Sequence, residues 1–166
     1  DGLAGFAQSQ SVTPPPILAA PIAAQSLPQA NRTSTGRPYF LCIGTIEPRK
    51  NHGLLLRVWS RLIERMGEDT PQLIIAGKRG TRASAILSAL EGDRRLQNAV
   101  SVRSGLSDSD LGTLLAGARA LVFPTLAEGF GLPVAEALQA GVPVIASDLP
   151  ALREVGQGIP ALLDPT

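Results

Sequence analysis

Residues 121–147 have the sequence LVFPTLAEGFGLPVAEALQAGVPVIAS, in which two apolar runs flank a turn and a short helical pattern. The runs at 121–124 and 143–147 have the composition of buried strands. Pro133 suits the first position of a helix over 133–140, because its missing N–H costs nothing there. The stretch therefore predicts a strand, a turn, a helix and a second strand, in that order.

Two carboxylates lie around the turn, Glu128 before it and Glu136 in the helix, which we place in the first helical turn. Helical side chains tilt toward the N-terminus, so Glu136 should lean over a helix end that favours phosphate. One carboxylate could accept hydrogen bonds from ribose hydroxyls and the other from sugar hydroxyls, while Gly129 and Gly131 let backbone amides approach a ligand. The pattern indicates a sugar-nucleotide site; the alternative is a capped helix with a solvated glutamate.

The rest of the chain alternates between strand and helix patterns from Pro38 onward. We predict strands at 39–43, 72–76, 99–102, 120–123, 142–146 and 161–163. We predict helices after a cap at Asn51, at 83–90, at 108–116 after a cap at Ser107, and at 133–140. The apolar face of the first helix is predicted to comprise Leu55, Val58, Trp59, Leu62, Ile63 and Met66. This order predicts an α/β fold, a Rossmann-like, mostly parallel sheet with helices on both faces.

Composition is ordinary for one such domain: 166 residues, 44% hydrophobic, 17% charged, and a net charge of +1. Nothing in this balance suggests nucleic acid or an anionic membrane as a partner. Cys42 is the only cysteine and lies in an apolar run, so we expect a buried core residue and no intrachain disulfide. No apolar stretch approaches the roughly 20 residues that span a bilayer, and we expect a cytoplasmic protein without a signal peptide. Residues 1–37 are rich in Ala, Pro, Gln and Ser, which predicts a linker or an N-terminal arm.

In an open parallel sheet the ligand lies beyond the carboxyl ends of the strands. Four loops follow strands in this way, at 44–51, 77–82, 103–107 and 125–132. We therefore expect them to form one crevice.

The first two of these loops carry cations. Arg49 and Lys50 suit a diphosphate, through planar bidentate and point-charge contacts respectively. Lys78 and Arg79 could border a base or face water. His52 is predicted to be a surface residue at a helix start. Because it is the only histidine, a multi-histidine metal site is excluded, and we expect no metal. The loop after the first strand lacks the three-glycine dinucleotide fingerprint, and no P-loop signature occurs.

Two segments carry a family resemblance, FPTLAEGFGLPVAEALQAGVPVIASDLPALREV at 123–155 and GTIEPRKNHGLLL at 44–56. They resemble the Glu-x7-Glu region and the glycine loop of retaining glycosyltransferases with the GT-B fold. The Pro-Arg-Lys-Asn variant at 48–51 is similar to members that transfer mannose from GDP-mannose. The resemblance covers about 38–166 and implies a nucleotide-sugar-binding domain, one half of a GT-B fold, that stops before the usual final helices.

The resemblance also implies roles for particular residues. Lys50 would contact the donor diphosphate and Glu136 the ribose. Glu128, with the amides of 129–131 and the neighbouring Leu132, would hold the donor sugar, so Glu128 and Lys50 are the candidate catalytic residues. The remaining candidates for donor binding are Gly44, Thr45, Arg49, Lys78, Gly105, Leu106, Gly129, Phe130 and Gly131. Thr45 departs from the family, many members of which carry a second basic residue there.

We thus expect a hexosyltransferase domain without a metal or other cofactor, which prefers GDP-mannose to UDP-sugars and retains anomeric configuration. The acceptor, a glycan or a lipid-linked glycan, would bind mainly to a further N-terminal domain, so this chain alone should be inactive. Peripheral association of the full-length protein with the inner membrane face is compatible with this. Two alternatives stay open: a GT-B-like epimerase or phosphorylase relative, and a non-catalytic nucleotide-binding module.

Overall fold

The structure, a computed structural model, describes residues 9–10, 13 and 36–166. Of the predicted arm at 1–37, the structure describes only residues 9, 10, 13, 36 and 37. The rest of the arm lies outside the described residues. All the elements that follow belong to the continuous range 36–166.

Six parallel strands form one sheet with the order β3-β2-β1-β4-β5-β6. The strands are β1 Tyr39–Ile43, β2 Gln72–Ala76, β3 Val100–Arg103, β4 Leu121–Phe123, β5 Val144–Ser147 and β6 Ala161–Leu163. The prediction of a Rossmann-like, mostly parallel sheet is confirmed, because every neighbouring pair is parallel. The order reverses direction between β1 and β4, which is where such sheets open a crevice for ligands.

The helices are α1 His52–Met66, α2 Ala83–Glu91, α3 Arg94–Ala99, α4 Asp108–Gly117, α5 Leu132–Gln139 and α6 Pro150–Gly156. Short 3-10 turns at Pro48–Lys50 and Gly67–Asp69 flank α1. The sequence analysis missed α3 and α6, which are too short to show a helical period. Asp93 accepts a hydrogen bond from the Arg95 N–H at 2.9 Å and caps α3, and a proline opens α6.

Side chains alternate across the sheet, so that each strand contributes to two cores. Leu41 and Ile43 of β1 pack with α4, α5 and α6 on one face. Cys42, between them, packs with α1, α2 and α3 on the other. The prediction that Cys42 is a core residue is confirmed: it is 2% exposed, and burial raises the pKa of its thiol to about 12. Helices on both faces, as predicted, follow from this alternation.

The start and the apolar face of α1 differ from the prediction. Asn51 precedes the helix but makes no side-chain cap; it has a φ of +56°, and its Nδ2 donates to the Pro165 carbonyl at 3.1 Å. Trp59 is buried, whereas Val58 and Met66 are 38% and 45% exposed. Val58 borders an apolar cavity of about 320 Å³ between α1 and the strands β4 to β6.

The start of β3 and the start of α5 also differ from the prediction. The third strand begins at Val100, not at 99, because Ala99 closes α3. The helix α5 begins at Leu132, so Pro133 is its second residue and Glu136 its fifth. Glu136 therefore lies in the second helical turn, not in the first.

Candidate functional site

The four loops predicted to carry the site lie at the carboxyl ends of β1 to β4 and contact one another. The loop after β1 bonds to the loop after β2 through the Ile46 N–H and the Lys78 carbonyl at 2.9 Å. The loop after β2 meets the loop after β3 through the Ser104 hydroxyl and the Gly77 carbonyl at 2.7 Å. The loop after β4 is bonded to the loop after β1 through the Leu126 N–H and the Arg49 carbonyl at 2.7 Å. These bonds hold the loops next to each other at one edge of the sheet.

Glycine allows the first two loops to approach closely. A Cβ at Gly77 would lie 1.9 Å from the carbonyl oxygen of Gly44, so no larger residue fits. Gly44 itself has a φ of +144°, and a Cβ there would meet the Lys50 side chain at 3.4 Å. The Lys50 side chain thus lies directly against the backbone of Gly44.

Lys50 and Glu128 form the central contact of the site. The Lys50 Nζ lies 2.5 Å from Glu128 Oε2, and it also lies 4.6 Å from the centroid of the Phe123 ring. Lys50 is only 8% exposed. A buried ammonium needs such partners, and here it has an anion and an aromatic face.

The Glu128 carboxylate has further donors around it. Its Oε1 accepts the Gly129 N–H at 3.2 Å, and its Oε2 lies 3.9 Å from Nη1 of Arg49. Burial alone would raise the pKa of Glu128, but the hydrogen bond and charge of Lys50, with Gly129 and Arg49, outweigh it and lower the pKa. Glu128 is therefore ionised at neutral pH and can accept hydrogen bonds from hydroxyl groups.

Arg49 lies beside this pair but has another partner. Its Nε contacts Glu47 Oε1 at 2.7 Å, and about half of its side chain is exposed. Arg49 thus forms an exposed ion pair, whereas Lys50 faces inward.

Glu136 has no comparable partner. It is half-buried, and within the described part of the chain no hydrogen bond or ion pair reaches its carboxylate. Burial raises the pKa of Glu136, and the charge of Asp108, at the start of α4, raises it further. The protein thus holds a partly desolvated carboxylate without stabilising it.

The fold requires glycine at one position of the turn but not at the other. Gly131 has a φ of +94°, and a Cβ there would lie 2.5 Å from Leu152, so folding requires glycine. At Gly129 a Cβ would meet no atom of the described residues within 4 Å, and φ lies outside the left-handed region. Neither packing nor backbone conformation explains glycine at 129. Gly105 has open space as well, but its φ of +71° favours glycine.

The other predicted residues occupy the rim. Thr45, Lys78 and Arg79 are exposed, and Phe130 and Leu106 are half-buried. Leu132 is 39% exposed at the start of α5.

His52 corrects the prediction, because it is not a surface residue. It is 1% exposed, and neither ring nitrogen has a hydrogen-bond partner among the placed residues. Burial lowers the pKa of His52, so the ring is neutral at pH 7. The ring fills space at the start of α1.

The sequence analysis also overlooked Thr125, the second residue after β4, which is fully buried. A threonine immediately after a strand and a proline is a weak signal, since nothing in the sequence shows that its hydroxyl faces another loop.

Among residues 36–166 and the few placed before them, no group of three or more His, Cys, Asp or Glu could hold a metal ion. No helix in that part of the chain is long and apolar enough to cross a membrane.

The chain resembles known proteins in its sequence. The model of the family described as "Glycosyl transferases group 1" matches residues 24–157. The serotype-specific mannosyltransferase WbdA of Escherichia coli is 38% identical over 120 residues, which are 72% of this chain and 14% of that protein. The O-antigen chain mannosyltransferase B of Escherichia coli is 38% identical over 127 residues, 76% of this chain and 33% of that protein. The chain thus spans a third or less of the length of these two relatives.

Solved structures share the fold at low sequence identity. The crystal structure of TarM has a TM-score of 0.66 and 18% identity, and the match covers 86% of this chain and 28% of that one. The pneumococcal O-GlcNAc transferase GtfA, solved in complex with UDP and GlcNAc, has a TM-score of 0.67 and 19% identity. This match covers 90% of this chain and 28% of that one.

Proposed function

The chain belongs to the glycosyl transferases group 1 family, and we propose that it forms the donor-binding domain of a mannosyltransferase that uses a sugar nucleotide. Its Rossmann-like sheet is one half of a GT-B fold. The observation that carries the proposal is the Lys50–Glu128 pair at the carboxyl edge of the sheet, with the open position at Gly129 beside it. One cation and one ionised carboxylate, 2.5 Å apart, match the two adjacent parts of a sugar diphosphate.

In this proposal Lys50 binds the donor diphosphate. Departure of the nucleoside diphosphate places negative charge on its oxygen atoms, and a fixed ammonium stabilises that charge without a metal. Burial and the Phe123 ring hold the Lys50 ammonium in place, and a bound diphosphate would share it with Glu128. Arg49 lies on the exposed side, paired with Glu47, and is the weaker candidate for a second phosphate contact in place of Thr45.

Glu128 and the turn amides bind the transferred sugar in the same proposal. The low pKa of Glu128 keeps the carboxylate a hydrogen-bond acceptor at neutral pH. A sugar that lies over Gly129 would meet no Cβ, which accounts for a glycine that folding does not require. Phe130, Gly131 and Leu132 complete this wall.

Glu136 is assigned to the ribose. Its carboxylate is half-buried and has no partner within the described residues, so two ribose hydroxyls could donate to it. Gly105 and Leu106 would lie against the base, with Lys78 at its border and Gly44 and Thr45 below the phosphates.

Mannose is proposed as the sugar because both E. coli relatives described above are mannosyltransferases, and GDP-mannose is the proposed donor. We further propose retention of anomeric configuration, and an acceptor glycan or lipid-linked glycan bound by another domain. The cytoplasm is the proposed location, at the inner face of the membrane if the acceptor is lipid-linked.

Calorimetric titration of the chain with GDP-mannose, GDP and UDP-glucose tests the proposal. We expect GDP-mannose and GDP to bind, and UDP-glucose to bind more weakly. Absence of binding by all three nucleotides would contradict the assignment of a donor site to this domain. Tighter binding of UDP-glucose would leave the site standing and overturn the choice of GDP-mannose.

A further inference from the structure

Thr125 lies between the loops that carry Lys50 and Glu128, with no exposed surface. Its hydroxyl oxygen is 3.0 Å from the carbonyl oxygen of Arg49 and 2.9 Å from that of Ala127. A carbonyl can only accept, so the hydroxyl donates to both and shares its single proton between them.

The two carbonyls belong to different loops. Arg49 immediately precedes Lys50 in the loop after β1, and Ala127 immediately precedes Glu128 in the loop after β4. The Arg49 carbonyl also accepts the Leu126 N–H at 2.7 Å. The backbone of each charged residue is therefore fixed, one residue away, to the same hydroxyl group.

We propose that Thr125 is a positioning residue for the Lys50–Glu128 pair: its hydroxyl sets the distance between the two loops and thereby holds the ammonium and the carboxylate together. The inference rests on the proposed function in so far as these two side chains bind the donor. Thr125 itself is fully buried, so it acts only through its neighbours.

The hydroxyl, not the volume of the side chain, carries this role. Valine has nearly the same shape as threonine but cannot donate. In a Thr125→Val variant the Arg49 carbonyl would keep the Leu126 N–H, whereas the Ala127 carbonyl would keep only the Arg49 guanidinium, 3.4 Å away. Loss of the hydroxyl should therefore act mainly on the segment that carries Glu128.

Thr70 provides a matched control. It is also a buried threonine, 1% exposed, and its hydroxyl donates to the Gly67 carbonyl at 2.7 Å. It precedes β2, at the opposite end of the sheet from the loops. Thr70→Val removes the same kind of bond and leaves the site untouched.

The experiment compares Thr125→Val, Thr125→Ser, Thr125→Cys and Thr70→Val with the unchanged chain. The first readout, without nucleotide, is the pKa of Glu128 from carboxyl ¹³C NMR titration. The second is the dissociation constant for GDP-mannose, because Glu128 is assigned to the transferred sugar. We expect Thr125→Val to move the pKa of Glu128 up toward its ordinary value and to weaken GDP-mannose binding about tenfold, the equivalent of one hydrogen bond. Thr125→Ser and Thr70→Val should leave both readouts unchanged.

If Thr125→Val and Thr70→Val give the same result, Thr125 is only structural and the proposal fails. If Thr125→Val does not fold, Thr125→Cys takes its place, because a thiol is a weaker hydrogen-bond donor than a hydroxyl group. Both readouts for Thr125→Cys should then lie between those of Thr125→Ser and those expected when the donor is lost. Readouts for Thr125→Cys equal to those of the unchanged chain would overturn the proposal. If the unchanged chain does not bind GDP-mannose, the proposed function fails, while the pKa of Glu128 still decides the role of Thr125.

Discussion

The Nζ of Lys50 lies 2.5 Å from Oε2 of Glu128, so the two side chains proposed to bind neighbouring parts of one ligand also satisfy each other. The carboxylate additionally accepts the Gly129 N–H, a donor proposed for the transferred sugar. A sugar diphosphate would have to share or replace these contacts.

Lys50→Ala should weaken binding of a nucleoside diphosphate by about 1.5 to 3 kcal/mol, the range for a hydrogen bond to a charged group. Binding of the plain nucleoside should change much less, because the proposal assigns Lys50 to the phosphates alone. Calorimetry with both ligands measures this. Arg49→Ala is the control and should have a smaller effect, since Arg49 is half-exposed and paired with Glu47. Equal losses for diphosphate and nucleoside would remove Lys50 from the diphosphate site.

Glu128→Gln should lower affinity for GDP-mannose but not for GDP. The amide keeps the shape and one acceptor oxygen, yet it lacks the charge that strengthens hydrogen bonds from sugar hydroxyls. The variant also releases Lys50 from its counter-ion, so GDP affinity should hold or rise. Paired binding isotherms decide the question; an equal fall in affinity for both ligands would mean that Glu128 serves the phosphates or only the fold.

The sequence predicted the sheet well because its information is local and periodic. Apolar runs such as 72–76 are bounded by glycine or proline, and Ser107 caps α4 as predicted, together with Asp110. The helices α3 and α6 were missed because six and seven residues show less than two full periods.

Features that depend on contacts between distant residues were beyond the sequence. The burial of His52 arises from the packing of α1 against the sheet, whereas its position at a helix start suggested the surface. Asn51 has the residue type of a cap but bonds to Pro165 instead, 114 positions away. The pairing of Lys50 with Glu128 and the role of Thr125 follow from loops that meet only after the strands are ordered β1 next to β4.

Glu136→Gln should stabilise the chain near neutral pH while weakening its ligand affinity. Burial and Asp108 raise the pKa of Glu136, so its folded pKa lies above its unfolded one. The stability contribution of such an acid is full below the unfolded pKa and is lost as pH rises through the folded pKa. Glutamine does not ionise and so avoids this loss of stability. The Glu136→Gln variant should therefore be more stable than the unchanged chain at pH 7 and equally stable at pH 3. Denaturant unfolding at both values measures this, with the exposed Glu91→Gln as control.

The same variant should bind both GDP and GDP-mannose more weakly, by roughly 1 to 3 kcal/mol if the ribose bonds are charge-assisted. If the variant is more stable but binds both ligands as tightly as the unchanged chain, Glu136 is a half-buried carboxylate that does not contact the ligand. The assignment of Glu136 to the ribose would then be wrong.

Gly129→Ala and Gly131→Ala form a pair that distinguishes ligand approach from folding. At Gly131 a Cβ would lie 2.5 Å from Leu152, and φ is +94°, so alanine there should lower the free energy of unfolding by about 1 to 3 kcal/mol. At Gly129 a Cβ would point into open space, so alanine should leave stability unchanged or slightly raised, because it restricts the unfolded chain. GDP-mannose affinity should nevertheless fall for Gly129→Ala, since the added methyl group occupies the proposed position of the sugar, while GDP affinity should hold. Thermal unfolding and calorimetry on both variants test this, and a Gly129→Ala variant that binds GDP-mannose as tightly as the unchanged chain would show that no sugar lies over this turn.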